Sequence, residues 1–223
     1  LLRYYNLWNN EKQNLFILFC HSTHLHYLCK KIKPMEQSED IQKAIEVMKK
    51  GGVILYPTDT VWGIGCDATN PDAVAKVYEI KHRDDSKALI CLVDSDVRLQ
   101  KYVRNIPNVA WDLIDAVTKP TTIILDNATN LATNLIADDG SIGMRITNEP
   151  FSHELCYRFQ KPIVSTSANI SGKPAAQNYC DIDPELLSAV DYVCESRRNE
   201  HKPHKPSSII KLSENGEVTV IRK

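Results

Sequence analysis

Several signatures are missing from these 223 residues, and each absence closes a class of function. The seven cysteines are an odd, scattered set with no Cys-x-x-Cys pair. Neither a disulfide framework nor a zinc ribbon is therefore indicated, and the reduced thiols of a cytosolic protein fit better. No Gly-x-x-x-x-Gly-Lys-Ser/Thr loop and no Gly-x-Ser-x-Gly occurs, which removes the marks of P-loop nucleotide hydrolysis and of α/β-hydrolase chemistry. Charge of one sign is also lacking: 27 basic against 28 acidic residues give net -1, so a polyanionic partner must be held by a local patch. Long apolar runs are scarce. In the first 34 residues the longest is Leu15 to Phe19, far short of the ~20 residues a membrane span requires and too short for a signal-peptide core. A content of 43% hydrophobic and 25% charged residues is that of an ordinary globular protein with no membrane partner. The length sets the expectation of one domain or two small ones.

The two ends of the chain differ. Residues 1–34 hold six of the 16 aromatics (Tyr4, Tyr5, Trp8, Phe16, Phe19 and Tyr27) yet keep no sustained period of 2 or 3.6. This segment is read as a non-native or disordered N-terminal extension, with the native start at Met35 and one domain over 35–223. Without it, 22 basic residues face 27 acidic ones, net -5. From residue 38 the pattern is regular. Ile41, Ala44, Ile45 and Met48 before Gly51 predict a short amphipathic helix with a glycine stop, and Val53 to Tyr56 predict a strand. Asn70-Pro71 opens a second helix by cap and proline. Further helices are expected at about 95–103, 107–117 and 150–160, and strands at 88–93, 121–125, 143–146 and 162–166. The runs 209–212 and 217–221 flank Asn215-Gly216, a hairpin signal. Alternating strands and helices with a terminal hairpin mean an α/β fold: a single domain with a mixed sheet flanked by helices.

Four clusters carry candidate chemistry. Cys20-His21-x-x-His24-x-His26-x-x-Cys29 has metal-ligand residue types, but its spacing matches no standard zinc pattern, so no metal is assigned. Gly63-Ile64-Gly65 follows a strand without the immediate tight turn of a dinucleotide fingerprint, and reads instead as glycines that let backbone pass close to a ligand or another strand. Lys81-His82-Arg83-Asp84-Asp85-Ser86-Lys87 lies between a helix and a strand. In extended chain Lys81 and Arg83 face the same way and can converge on one anion with Lys87 at the rim; alone, the run reads first as a solvated loop with Asp84 and Asp85 as local partners. Ser165-Thr166-Ser167-Ala168-Asn169 leaves a strand at its C-terminal end, where open α/β sheets bind ligands, although a Ser/Thr/Asn turn would look the same. The stretch 197–206, dense in charge and proline, reads as a solvated mobile loop.

Taken together, Tyr56-Pro57-Thr58-Asp59-Thr60-Val61-Trp62-Gly63-Ile64-Gly65, Lys81-x-Arg83 with Lys87, Ser141-Ile142-Gly143-Met144-Arg145, and Ser165-Thr166-Ser167-Ala168-Asn169-x-Ser171-Gly172 closely resemble the YrdC/Sua5 family of threonylcarbamoyl-AMP synthases, from about Gly51 to Ser208. The resemblance implies a single α/β domain with a twisted mixed sheet and a concave basic cavity. It implies a cytoplasmic nucleotidyltransferase that joins L-threonine, bicarbonate and ATP, with Mg²⁺ accompanying the ATP, into threonylcarbamoyl-adenylate and pyrophosphate. The product would pass to the transferase machinery that makes t6A on tRNA, with tRNA contact a further expectation. By motif position, Lys81, Arg83, Ser167 and Asn169 match the family's catalytic set. Arg83, Lys87, Ser141, Ser167 and Ser207 match ATP contacts, and Thr60, Arg145, Ser165 and Asp191 match threonine contacts. Three departures stand out. Lys119-Pro120 replaces the family's Pro-Gly-Pro, Leu92 stands where many relatives carry a threonine-contacting His, and the second domain of the longer Sua5 type is expected to be absent. Two other readings remain: a non-catalytic module that binds structured RNA in the same cavity, and carbamoyl transfer through a carbamoyl-adenylate.

Overall fold

The computed structural model describes residues 36–82, 89–201 and 205–223. The expectations for residues 1–34, the Cys/His run and the Met35 start lie outside the described residues, as do Arg83 and Lys87. Residues 37–223 form one compact unit.

Helix α1 (Gln37–Lys49) buries the predicted stripe of Ile41, Ala44, Ile45 and Met48. It stops at Gly51, whose φ of +75° needs no β-carbon. Strand β1 (Ile54–Tyr56) turns back into β2 (Gly63–Gly65), antiparallel with Tyr56 opposite Gly63. Helix α2 (Pro71–Ile80) starts where Asn70 accepts from the amides of Asp72 and Ala73, with Pro71 in the first turn. Then come β3 (Ile90–Val93), α3 (Asp96–Leu99), α4 (Asn108–Ala116), β4 (Thr121–Leu125), β5 (Ile142–Ile146), α5 (Pro150–Phe159), β6 (Ile163–Ser167), α6 (Pro184–Ala189), β7 (Tyr192–Val193), β8 (Ser208–Leu212) and β9 (Val218–Arg222). The sheet order is β7-β1-β2-β6-β3-β5-β4-β8-β9. Its pairing is mixed: β1 with β7, β3 with β5 and β4 with β8 run parallel, and the other neighbours run antiparallel.

Two apolar layers sandwich this sheet. On one face Leu55, Ile64, Cys91, Met144 and Val164 pack with side chains of α2, α3, α4 and α6. On the other, Ile54, Tyr56, Leu92 and Ile163 meet α1 and α5 through Ile41, Met48, Phe151 and Leu155. The strand register carries this second face onward from Leu92 and Ile163 to Arg145, Gly143 and Ser165. Past the helices, therefore, an apolar face becomes small and polar.

β2, β7 and α6 have no counterpart among the predicted elements, and two predicted stretches differ from expectation. The helix predicted over 95–103 is α3, four residues long, because Tyr102 to Arg104 pair across to 127–129: Arg104 N donates to Asn127 O (3.0 Å) and Thr129 N to Tyr102 O (2.9 Å). Lys81 is not in extended chain; it caps α2 with αR dihedrals, so the expected alternation with Arg83 does not start from it. The glycine reading holds. A Cβ on Gly65 would lie 2.4 Å from Val164 O and 2.7 Å from Tyr56 Cε1, so β2 is squeezed between β1 and β6.

Candidate active site

Proline and threonine set the β1–β2 turn. Pro57 cannot extend the ladder, and the hydroxyl of Thr58 folds the next residues over itself: Oγ1 donates to Val61 O (2.7 Å), accepts from Thr60 N (3.1 Å) and meets Thr60 Oγ1 at 3.0 Å. Both threonines are buried. Arg145, on β5, reaches this turn from the adjoining sheet face. Its Nη2 lies 3.0 Å from Asp59 Oδ1 and donates to Thr60 Oγ1 at 3.4 Å. The guanidinium is only 3% exposed, and its Nε has no hydrogen-bond partner. Asp59 Oδ1 likewise accepts no aligned hydrogen bond, so its contact with Arg145 is charge against charge rather than a bidentate fork. Burial pushes the Asp59 carboxyl up, against the pull of Arg145, and burial also lowers Arg145 below its ordinary value, against the pull of Asp59. The idle Nε–H of this buried cation can donate one further hydrogen bond.

The β6 strand ends beside this turn, Ser167 opposite Gly63. Beyond it the Ser167 hydroxyl donates to Asn169 Oδ1, and the Asn169 amide donates to the carbonyls of Ile170 (3.0 Å) and Lys173 (2.6 Å). Lys81, buried, donates from Nζ to the carbonyls of Ser167 and Asn169, both at 2.6 Å, and Ser171 N donates to Lys81 O (3.0 Å). The lysine expected to face an anion thus anchors the loop that presents Ser167 and Asn169. Ser165 shares the sheet face of Arg145, and Tyr56, whose hydroxyl donates to Val164 O (3.3 Å), is pushed well above its ordinary pKa by burial.

The remaining sequence-predicted residues lie in three places. Ser141 donates to Asp139 Oδ1 (2.5 Å), a bond that with Lys211 holds Asp139 down at about 2. Ser207 bonds Thr122 Oγ1 (2.9 Å) at the start of β8 and accepts from Arg222. Asp191 stands apart: its carboxylate accepts from Val53 N (2.7 Å), before β1, rather than joining the turn that follows β1. The structure therefore brings Thr60 to Arg145 and Lys81 to Ser167 and Asn169, and it gives Asp191 a backbone-pairing role.

Four participants were not assigned from sequence. Asp59, inside the quoted motif, is the counter-ion of Arg145. Trp62 walls the cleft. Arg197 and Glu200 face it from a segment read as a solvated loop, yet Arg197 donates to Thr58 O (3.0 Å), so that segment is tied down at its start. A small cleft open to solvent is lined by Pro57, Thr58, Thr60, Trp62, Gln177, Asn178, Arg197 and Glu200.

A family model described as "Telomere recombination", covering Sua5, YciO and YrdC, matches residues 46–223. A protein of Xanthomonas campestris named threonylcarbamoyl-AMP synthase is 34% identical over 72% of this chain and 88% of its own length. One of Pseudoalteromonas translucida with the same name is 35% identical over 82% and 98%. Among solved structures, YciO of E. coli superposes with a TM-score of 0.73 at 26% identity over 84% of this chain and 90% of YciO. Sua5 of P. abyssi complexed with L-threonine gives a TM-score of 0.71 at 23% identity over 81% of this chain. This chain spans only 52% of that Sua5, a likeness that concerns the fold.

Proposed function

Because the chain belongs to the Sua5/YciO/YrdC family, we propose that it is a threonylcarbamoyl-AMP synthase, a nucleotidyltransferase that forms threonylcarbamoyl-adenylate and pyrophosphate from L-threonine, bicarbonate and ATP for t6A modification of tRNA. The observation that carries this reading is Arg145: a buried guanidinium with an unpartnered Nε, beside the hydroxyl of Thr60, which lines the small cleft. A cation so placed suits the α-carboxylate of an amino acid.

The chemistry asks for electrostatics more than for proton transfer. The threonine amine condenses with bicarbonate, losing water, and a carbamate oxygen then attacks the α-phosphorus of ATP. The bond from that phosphorus to the bridging oxygen breaks, and pyrophosphate leaves. The nucleophile is already an anion, so fixed positive charge and hydrogen-bond donors contribute most. Thr60, Ser165 and Arg145 would hold threonine. Ser141, Ser167 and Ser207 would contact ATP, joined by Arg83 and Lys87. Lys81 acts through the loop that it anchors. Among the described residues no three His, Cys, Asp or Glu side chains converge on a metal position. Magnesium, which keeps its waters and favours phosphate oxygens, would here arrive with the ATP.

The test is pyrophosphate release with ATP, bicarbonate and single amino acids, without RNA. Release that requires threonine supports the reading. Absent turnover, together with binding of structured RNA that shows a shallow salt slope and a base preference, would favour the RNA-binding alternative instead.

A further inference from the structure

Arg197 combines an uncommon backbone with an unusually complete set of partners. Its φ is +62°, a left-handed conformation that opposes any residue bearing a β-carbon and persists only where the surroundings over-determine it. Those surroundings come from three parts of the fold. Nη1 donates to Thr58 O (3.0 Å) in the β1–β2 turn and lies 2.9 Å from Glu149 Oε1. Glu149 is itself fixed, accepting from the amides of Phe151 and Ser152 at the start of α5. Nε and Nη2 meet Glu200 Oε2 at 2.9 and 2.7 Å. The flanks are pinned as well. Asp40 of α1 accepts from the amides of Glu195 (3.0 Å) and Ser196 (2.7 Å), and Arg198 donates to the carbonyls of Cys194 and Val193. Arg198 also lies over the Tyr179 ring, which packs against Trp62 of the cleft wall.

From Arg197 a continuous chain of contacts leads to the proposed threonine site. Its guanidinium holds the Thr58 carbonyl; the Thr58 hydroxyl takes the amide of Thr60 and meets its hydroxyl; Thr60 Oγ1 in turn accepts from Arg145. We infer that Arg197 is a positioning residue that fixes the 58–60 turn, so that Thr60 and Arg145 keep their substrate-binding geometry. This rests on the threonine site proposed above. Arg197 spans two carboxylates and a carbonyl at once, which needs the planar fork of a guanidinium rather than a point charge.

Arg197→Gly separates this role from a purely structural one, because glycine adopts the same φ freely while every side-chain tie is lost. Two readouts apply: KM for threonine against KM for ATP, and exchange of the Thr60 amide followed by NMR. In Arg197→Gly, KM for threonine should rise by about tenfold or more, the scale on which misplaced binding groups act. KM for ATP should stay within about twofold, and the Thr60 amide should exchange about tenfold faster or more. Arg197→Lys should fall between wild type and glycine in both. Equal changes in both KM values, or a Thr60 amide that exchanges as in wild type, would overturn the inference. Should the unmodified chain show no threonine-dependent turnover, the proposed function fails by itself. Thr60 exchange in the two variants then still decides the positioning role, acceleration in the order Gly over Lys supporting it and no change overturning it.

Discussion

At the scale of single residues, charge is placed according to what it must hold. Arg145 is buried against one acid and one hydroxyl with a donor to spare. Arg145→Lys keeps the charge and removes the planar fork, so KM for threonine should rise markedly while KM for ATP and the melting temperature stay nearly constant. Equal weakening of both substrates in steady-state kinetics would return Arg145 to a structural role. Lys81 is the opposite case, its ammonium satisfying two carbonyls. Lys81→Met should lower unfolding free energy by about 2–4 kcal/mol in denaturant titration, since two buried acceptors lose a charged donor. Asp139 supplies a pH signature. Its folded pKa lies below the unfolded value, at about 2, so its contribution is complete above the unfolded pKa near ~4 and is lost as pH falls toward the folded one. Acid titration of wild type should therefore show a loss of stability between about pH 4 and 2 that is smaller in Asp139→Asn; identical acid limbs would contradict it. The sequence made Arg145 and Thr60 legible through motif and resemblance. It misread Arg197 because a left-handed residue held by Thr58 and Glu149 depends on contacts 139 and 48 positions away, while its own neighbours are only charge and proline.

At the scale of elements, local chemistry decided what was legible. α1 and α2 carry their own stops and caps in Gly51 and Asn70-Pro71, and both form close to where these signals fall. The Asn215-Gly216 signal also holds: β8 and β9 pair antiparallel, Gly216 takes φ +84°, and Ser213 N donates to Glu217 O (3.0 Å) to close the turn. The two-residue β7 and three-residue β2 have no pattern long enough to read. They exist because remote strands flank them: β7 borders β1, and β2 lies between β1 and β6. The second insertion leaves no room for a side chain. Gly65→Ala would put a methyl group onto the Val164 carbonyl, and it should lower stability by about 1–3 kcal/mol through forced backbone displacement. Thermal or denaturant unfolding that matches wild type would show that β2 can shift without penalty.

At the scale of the whole molecule, the fold class followed from strand and helix alternation, whereas the strand order did not. Sequence neighbours β1 and β2 are adjacent, but β6 inserts between β2 and β3, and β5 between β3 and β4. Only long-range packing selects that arrangement. It is also what assembles the site, since β1–β2 supplies Thr60, β5 supplies Arg145 and β6 supplies Ser165 and Ser167. The exposed border strand β9 is blunted by a register shift at Ile209/Ile210 and by Arg222, which turns back to Ser207, devices that discourage edge-to-edge association. The central claim, that carbon from bicarbonate is built into an adenylate of threonine, is tested most directly by mass spectrometry of the product formed from ¹³C-bicarbonate, ATP and L-threonine. Threonylcarbamoyl-adenylate one mass unit heavier than its unlabelled form, appearing in step with pyrophosphate, is the predicted result. Unlabelled threonyl-adenylate, or pyrophosphate released with no labelled adduct, would contradict it.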